Sequence, residues 1–530
     1  MRKHQQRQIL QLLETLQEAQ DVGLYLECQQ GAVQIGELIE QIVGEGTKTV
    51  SLLEEYCDLL FEASEGRIED QMLCRQLKKI ENAVMTELKP TRLEIVFFPY
   101  QISMFDSFRS VYLAAKADPD CDAYCVPIPW YERNKDGTFG EMHYDGDAYP
   151  SDIDITPWQN YDIAGRHPDA IFIHYPYDDV NMVTTIHPNY YSTALRQKTD
   201  CLVYIDYGLP YWMSVRPVDN PVLPIYVRCD LCVTYAEEFS QAIWHNVKRQ
   251  MDIGEFPRQR INHDAFMALG SPKFDAVLST RREDCALPTQ WRDRIAGKKV
   301  LLYSTGVGAI VKENEEFLHR LRHTLDALRG RDDIVLWWRP HPFSERTFAS
   351  MRATLYQEFL SIVAQYKAED YGIYDDTPDF HRAIAWSDGC YTDESSLMFL
   401  YLATGKPFSV EAFERMPAST LIDDSNDYSP ILRYRIQCMQ QARGADIFDH
   451  NCLIGWYVFK DADPTWTARY EDFLQRFSHF ICNEQSYPDA EMYRKLKLEM
   501  FRDIVANADG TAGQKIYDYV KQKTVGGKPQ

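Results

Sequence analysis

Apolar positions recur at helical spacing through the first ninety residues. Ile9, Leu10, Leu12, Leu13 and Leu16 form one stripe, and Ile35, Leu38, Ile39 and Ile42 form a second. Gly44-Glu45-Gly46-Thr47 interrupts the period before Val50, Leu52, Leu53, Tyr56, Leu59 and Leu60 resume it, and no proline precedes Pro90. Residues 1–89 are therefore predicted to be a helical segment whose role is packing, partner contact or self-association.

From Leu93 the period shortens. Leu93–Phe98, Ala123–Pro127, Ala170–His174, Cys201–Ile205 and Leu231–Tyr235 are short β-rich runs, and Phe105–Ala117 between the first two reads as a helix. Asp136–Trp158, rich in Gly, Asp and Tyr, reads as a long loop. A second cycle opens with strand Lys299–Tyr303, a small-residue turn Ser304–Gly308 and an amphipathic helix Asn314–Leu328. It continues through strand Asp333–Trp337, helix Phe348–Tyr366 and strands at Tyr371–Tyr374, Gly389–Tyr391 and Pro407–Val410. Strands alternating with helical connectors predict parallel, doubly wound sheets. The expected fold is α/β, with two Rossmann-like domains at 90–290 and 291–440 facing a cleft. A helical segment at 441–530 follows, clearest at Trp466–Cys482 and Ala490–Ala506, with a frayed end at Val525–Gln530.

Composition narrows the function classes. Hydrophobic residues make up 45% and aromatic ones 13%, which fits a folded chain; 33 Tyr and 10 Trp add a weak hint of a carbohydrate or nucleotide cleft. The net charge of −23 argues against nonspecific nucleic-acid binding and against electrostatic attachment to anionic lipid. Cysteines number 13 and are scattered, so Cys229 and Cys232 read as reduced core thiols, and neither a zinc site nor any other metal site or cofactor is expected. Asp152-Ile153-Asp154 has no strand before it and is not read as a metal motif. No leader is visible and no apolar run reaches ~18 residues. The expected location is the cytoplasm, with peripheral attachment at the inner membrane face as a variant.

The chemistry-bearing residues gather at predicted strand ends, where open α/β sheets bind ligands. Arg339-Pro340-His341-Pro342 follows one strand, and Thr392-Asp393-Glu394-Ser395-Ser396 follows another. A guanidinium fork, an imidazole and hydroxyls at a helix start suit a phosphate. Singly, a structural Arg–Asp pair and a serine N-cap explain these residues as well. Together and in this order they point to a transferase that uses a nucleotide diphosphate.

With Gly270-Ser271-Pro272-Lys273-Phe274-Asp275, these segments resemble the Arg-Pro-His-Pro, Thr-Asp-Tyr-Ser-Ser and Gly-x-Pro-Arg-x-Asp motifs of CDP-glycerol glycerophosphotransferases. Those enzymes act in teichoic-acid and related surface-polymer synthesis. The resemblance covers about residues 200–415 and extends less clearly over 93–200. It implies a GT-B-like fold with a CDP-activated polyol as donor and a polyol or glycan acceptor, lipid-linked forms included. It also implies donor phosphates held by Arg339, His341, Ser395 and Ser396, with Thr392, Asp393, Ser304, Thr305 and Gly306 beside them. The family's Trp-His-Gly base is replaced here by Asp206-Tyr207-Gly208, which leaves Asp206, His174 and His187 as candidate bases. Glu394, where the family has Tyr, brings an extra carboxylate toward the phosphates. Two alternatives stand beside this reading: a glycosyltransferase using another nucleotide sugar, and an inactive nucleotide-binding or scaffold member.

Overall fold

The computed structural model describes residues 1–134, 136–209, 222–254, 262–313, 315–393, 397–411, 466–487 and 490–525. Residues 412–465 lie outside them, as does the predicted frayed end Val525–Gln530 except for Val525, which closes a helix. Four helices, Lys3–Asp21, Tyr25–Val43, Lys48–Ser64 and Asp70–Glu87, pack around the stripe residues Ile9, Leu13, Ile35, Ile39, Leu53, Tyr56 and Leu60, all buried. The bundle is fastened to the rest of the chain at its first turn. Arg2 donates to the buried carboxylate of Glu94, which also accepts from Arg166 Nε (2.7 Å) and the Tyr161 hydroxyl (2.9 Å). Arg7 makes a two-pronged pair with Asp200 at 3.1 and 2.7 Å. Arg2→Ala is expected to destabilise the chain by about 1–3 kcal/mol, because Glu94 loses a charged donor where water cannot replace it. Urea titration followed by tyrosine fluorescence checks this.

The first lobe is a six-stranded parallel sheet. Its strands come in chain order as β1 (Leu93–Phe98), β2 (Cys121–Cys125), β5 (Ala170–Ile173), β7 (Cys201–Ile205), β8 (Leu231–Thr234) and β9 (Phe266–Ala268), and their spatial order is β2-β1-β5-β7-β8-β9. Alternation explains its two cores: Ile95 and Phe97 of β1 enter one apolar cluster, while Val96 and Phe98 enter the other. The remaining three strands of this half, β3 (Trp130–Arg133), β4 (Phe139–His143) and β6 (Thr184–Ile186), form a separate antiparallel sheet. This corrects the predicted loop at 136–158, which contains β4; the largely exposed run Phe139–His143 has no apolar alternation to betray it.

The second lobe is a five-stranded parallel sheet, β12-β11-β10-β13-β14, built from β10 (Lys299–Thr305), β11 (Ile334–Pro340), β12 (Ile373–Tyr374), β13 (Gly389–Asp393) and β14 (Phe408–Glu411). Trp337 and Trp338 are both fully buried because neighbouring residues of β11 point to opposite faces, each covered by a different cluster. The predicted helix 348–366 is two helices, Ser344–Met351 and Ala353–Glu369, broken at Arg352. The predicted turn 304–308 shrinks to Gly306, since β10 runs to Thr305 and a helix starts at Val307. The expected α/β fold with two doubly wound parallel sheets is what the chain adopts.

The C-terminal helices join the two lobes. Trp466–Asn483 packs on the second sheet, with Phe473, Leu474 and Phe477 in its core. Ala512–Val525 returns to the first, where Ile516, Tyr517 and Val520 complete the cluster around Ile95 and Phe97. Among the described residues no helix is long and apolar enough to cross a membrane.

Candidate functional site

In-register pairing brings three of the sequence motifs to one edge. Ser304 of β10 lies opposite Arg339 of β11 on one side and Thr392 of β13 on the other. The carboxyl ends of the three central strands therefore carry Ser304-Thr305-Gly306, Arg339-Pro340-His341 and Thr392-Asp393 side by side. Glu394, Ser395 and Ser396 lie outside the described residues. The Gly306 N–H donates to the Asp393 carboxylate at 2.5 Å, and a Cβ at Gly306 would meet the same oxygens at 3.0 and 3.1 Å. Gly306 is thus the residue that admits Asp393 to the strand ends.

Arg339 does not stand open as a phosphate ligand. Its Nη1 lies 2.7 Å from Asp375 Oδ2, and Nη2 donates to the Thr377 carbonyl. Asp375 is fully buried and also accepts from Trp337 Nε1 (3.1 Å), Thr377 N (3.0 Å) and Thr377 Oγ1 (2.6 Å). A buried carboxylate left without its cation would be costly, so the Arg339–Asp375 pair braces the strand end. Asp375 lies 36 positions on and carries no local signal. His341 is different. Its Nδ1 accepts the Phe343 N–H at 3.1 Å, which puts the proton on Nε2. Burial and then the Arg339 charge push its pKa down to about 4, so the ring is a neutral Nε2–H donor at the sheet edge.

Of the three candidate bases, His174 is fully buried with both ring nitrogens engaged. Nε2 accepts the Tyr100 N–H at 3.1 Å and Nδ1 lies 3.0 Å from Ser107 Oγ, while Phe108 stacks on the ring at 4.5 Å. Burial, and then the Lys273 charge, lower its pKa to about 3. Both nitrogens are thus satisfied within the fold, between Tyr100 and Ser107. His187 caps the short turn Pro188–Tyr190 by accepting the Asn189 N–H at 3.3 Å, and it sits among Tyr131, Trp158 and Tyr190 by the antiparallel sheet. Among the described residues no hydrogen bond or ring contact joins it to Asp206. Asp206 follows the last residue of β7 and is half-buried. Its Oδ1 accepts the Gly208 N–H at 2.8 Å, and Tyr204, Tyr207, Tyr226 and Tyr235 are its electrostatic neighbours. Burial raises its pKa to about 6, against the smaller opposing effect of Gly208.

The Gly270–Asp275 segment was legible as a motif but not in its role. Ser271 and Pro272 start the helix Pro272–Ser279 as cap and first residue. Lys273 Nζ donates to both oxygens of Asp106 at 2.6 and 2.7 Å, and Asp106 Oδ2 is 3.1 Å from His381 Nε2. Asp106 follows β1, whereas His381 follows β12. The carboxyl edges of the two sheets therefore face each other across this contact. Asp275 accepts from Ala512 N (3.1 Å), Gly513 N (2.7 Å) and Ser110 Oγ (2.7 Å), which fixes the start of the returning C-terminal helix. Among the described residues no group of three His, Cys, Asp or Glu side chains has an arrangement that could hold a metal ion.

Fold and site together define a two-lobed α/β protein with its chemistry-bearing side chains on facing strand ends. No protein-family model and no curated protein matches the chain. Among solved structures it is similar to a Listeria monocytogenes protein described as a UDP-N-acetylglucosamine 2-epimerase, at 13% identity and TM-score 0.47, over 82% of this chain and 96% of that one. It is also similar to the wall teichoic acid polymerase TagF, at 13% identity and TM-score 0.45, over 90% and 98%. A third is S. aureus MnaA in a structure with UDP, at 11% identity and TM-score 0.44, over 81% and 96%. Likeness at this level identifies neither donor nor acceptor.

Proposed function

We propose that the chain is a transferase that binds a nucleotide-activated donor at the carboxyl edge of β11-β10-β13 and passes a polyol phosphate to an acceptor hydroxyl near Asp206. The donor proposed is CDP-glycerol or a related CDP-polyol, and the setting is cell-surface polymer synthesis. Residues 291–440 would form the donor domain and 90–290 the acceptor domain. In the reaction the acceptor oxygen attacks the β-phosphorus, the bond from that phosphorus to CMP breaks with its electron pair leaving on CMP, and Asp206 takes the hydroxyl proton. The observation that carries the reading is the register that sets Ser304, Arg339 and Thr392 level on adjacent strands, with His341 as a neutral donor just beyond. The motif order in the sequence, Gly270–Asp275 then Arg339–Pro342 then Thr392–Ser396, supports the same choice.

A second reading, nucleotide binding without turnover, is favoured by two observations. Arg339 is already committed to Asp375, and Tyr207 stands where the family has its histidine. Thermal shift with CDP-glycerol, CDP-ribitol, CMP, UDP-sugars and GDP-sugars tests both. Cytidine ligands are expected to stabilise the chain, by about 2.7 kcal/mol at a hundredfold excess over Kd. His341→Ala is expected to weaken that binding about tenfold, the loss of one hydrogen bond of about 1.4 kcal/mol. Stabilisation by uridine or guanosine sugars alone would replace the donor assignment with a glycosyltransferase. Cytidine binding with no CMP release on any acceptor would favour the non-catalytic reading.

A further inference from the structure

Three ionisable side chains from distant parts of the chain meet where the lobes face each other. Asp106 comes from the turn Ile102–Ser107 after β1, Lys273 from the first turn of the helix after β9, and His381 from the first turn of the helix Phe380–Trp386 in the second lobe. Their side chains are 10%, 5% and 15% exposed. Burial opposes ionisation of Asp106, but Lys273 and His381 outweigh it and hold the carboxyl at about 2. Phe380 shields the group: Lys273 Nζ is 5.1 Å from its ring centroid, and the His381 ring is 4.2 Å away. His381 Nδ1 is enclosed with no partner, so among the described residues Asp106 is the ring's only hydrogen-bond anchor, and that anchor lies across the cleft.

Such a cluster is a poor way to add stability, since apolar side chains of similar volume commonly do as well or better in its place. It is a good way to fix position, because its short charged contacts tolerate only one arrangement. Position matters here on two sides. Next to His381, Arg382 donates to Thr377 Oγ1 at 2.8 Å and lies 3.7 Å from Asp375, the carboxylate that braces Arg339. On the other side, Asp106 follows β1 and Asp206 follows β7, both at the carboxyl edge of the first sheet. Ion pairs thus tie the strand end at Arg339 to Asp375 and Arg382, and the adjacent His381 to Asp106 and Lys273 on the edge of the sheet that carries Asp206.

We propose that Asp106, Lys273 and His381 form an ionic clasp between the lobes that sets the distance from the donor edge to Asp206. They are positioning residues, and their kinetic role rests on the proposed transferase reading. In the full-length chain, Lys273→Met and His381→Leu are expected to lower kcat for CMP release roughly 100-fold while nucleotide Kd, measured calorimetrically with CDP-glycerol, stays within about twofold. Lys273→Arg and His381→Gln keep a donor to Asp106 and are expected to restore most of the rate. Wild-type rates in the Met and Leu variants, or a joint loss of rate, affinity and melting temperature, would overturn the clasp. Hydrogen exchange supplies a test independent of turnover. In Lys273→Met, residues 102–107 and 380–386 should lose protection together while β7 and β10 keep theirs. If the wild-type chain bound no nucleotide, the transferase reading would fall, and unchanged exchange in both segments would dismiss the clasp separately.

Discussion

Gly270→Ala is expected to be strongly destabilising although it adds a single methyl group. Gly270 has φ +90°, a region where an L side chain is strained by about 1–2 kcal/mol. Its Cβ would also lie 2.4 Å from the Ala506 carbonyl oxygen and 2.8 Å from Ala512 Cβ. Neither neighbour can swing aside. Ala506 N donates to the Tyr235 carbonyl at 2.9 Å, Asn507 Nδ2 to the Leu269 carbonyl at 3.0 Å, and Ala512 N to Asp275 at 3.1 Å. The backbone crossing is held from three directions. Overpacking adds about 1–3 kcal/mol, so a total loss of roughly 2–5 kcal/mol is expected. The returning helix Ala512–Val525 should be the first element to detach, exposing the cluster around Ile95 and Phe97. Thermal melting and exchange at residues 512–525 check this. A variant that melts within about 1 °C of wild type would mean that the crossing is looser than its contacts imply.

The same crossing shows what was legible beforehand. Central parallel strands are buried on both faces, so Leu93–Phe98, Cys201–Ile205 and Ile334–Trp337 stand out as apolar runs, and the order of the two sheets followed from them. Strand ends were legible less sharply, since β10, β11 and β13 run on to Thr305, Pro340 and Asp393, past the predicted ends at Tyr303, Trp337 and Tyr391. Partners were not legible. Arg339 and Asp375 are 36 positions apart, Lys273 and Asp106 are 167, and His381 and Asp106 are 275, distances over which no period or spacing carries information. His174 was singled out as an imidazole in the loop segment that follows β5. Only the folded chain shows that Tyr100 N and Ser107 Oγ occupy both of its nitrogens. The antiparallel sheet of β3, β4 and β6 escaped because its strands are short and β4 is largely exposed, without apolar alternation.

Asp206→Asn separates stability from activity in a way that a purely structural aspartate would not. On the proposed reaction, loss of the base lowers the transfer rate about 10²–10⁴-fold. Nucleotide affinity should hold, because the donor edge belongs to the other sheet. Stability should rise. Burial lifts the Asp206 pKa from 3.8 to about 6 in the folded chain, so folding favours the protonated form. Above pH 6 the ionised carboxylate therefore works against the fold, by at most about 3 kcal/mol; as pH falls through 6 that penalty fades, and it is gone below 3.8. Asparagine cannot ionise, so the variant should melt above wild type at pH 8 and level with it near pH 4. Wild-type turnover should run the opposite way, rising with pH through about 6 and flattening above it, since only the carboxylate can accept the proton. On that reading Asp206 would cost stability where it is active, a usual signature of function on a fold. An Asn variant that transfers at the wild-type rate, or a wild-type profile flat from about pH 5 to 8, would remove Asp206 from the chemistry and leave it a residue of the tyrosine-lined wall.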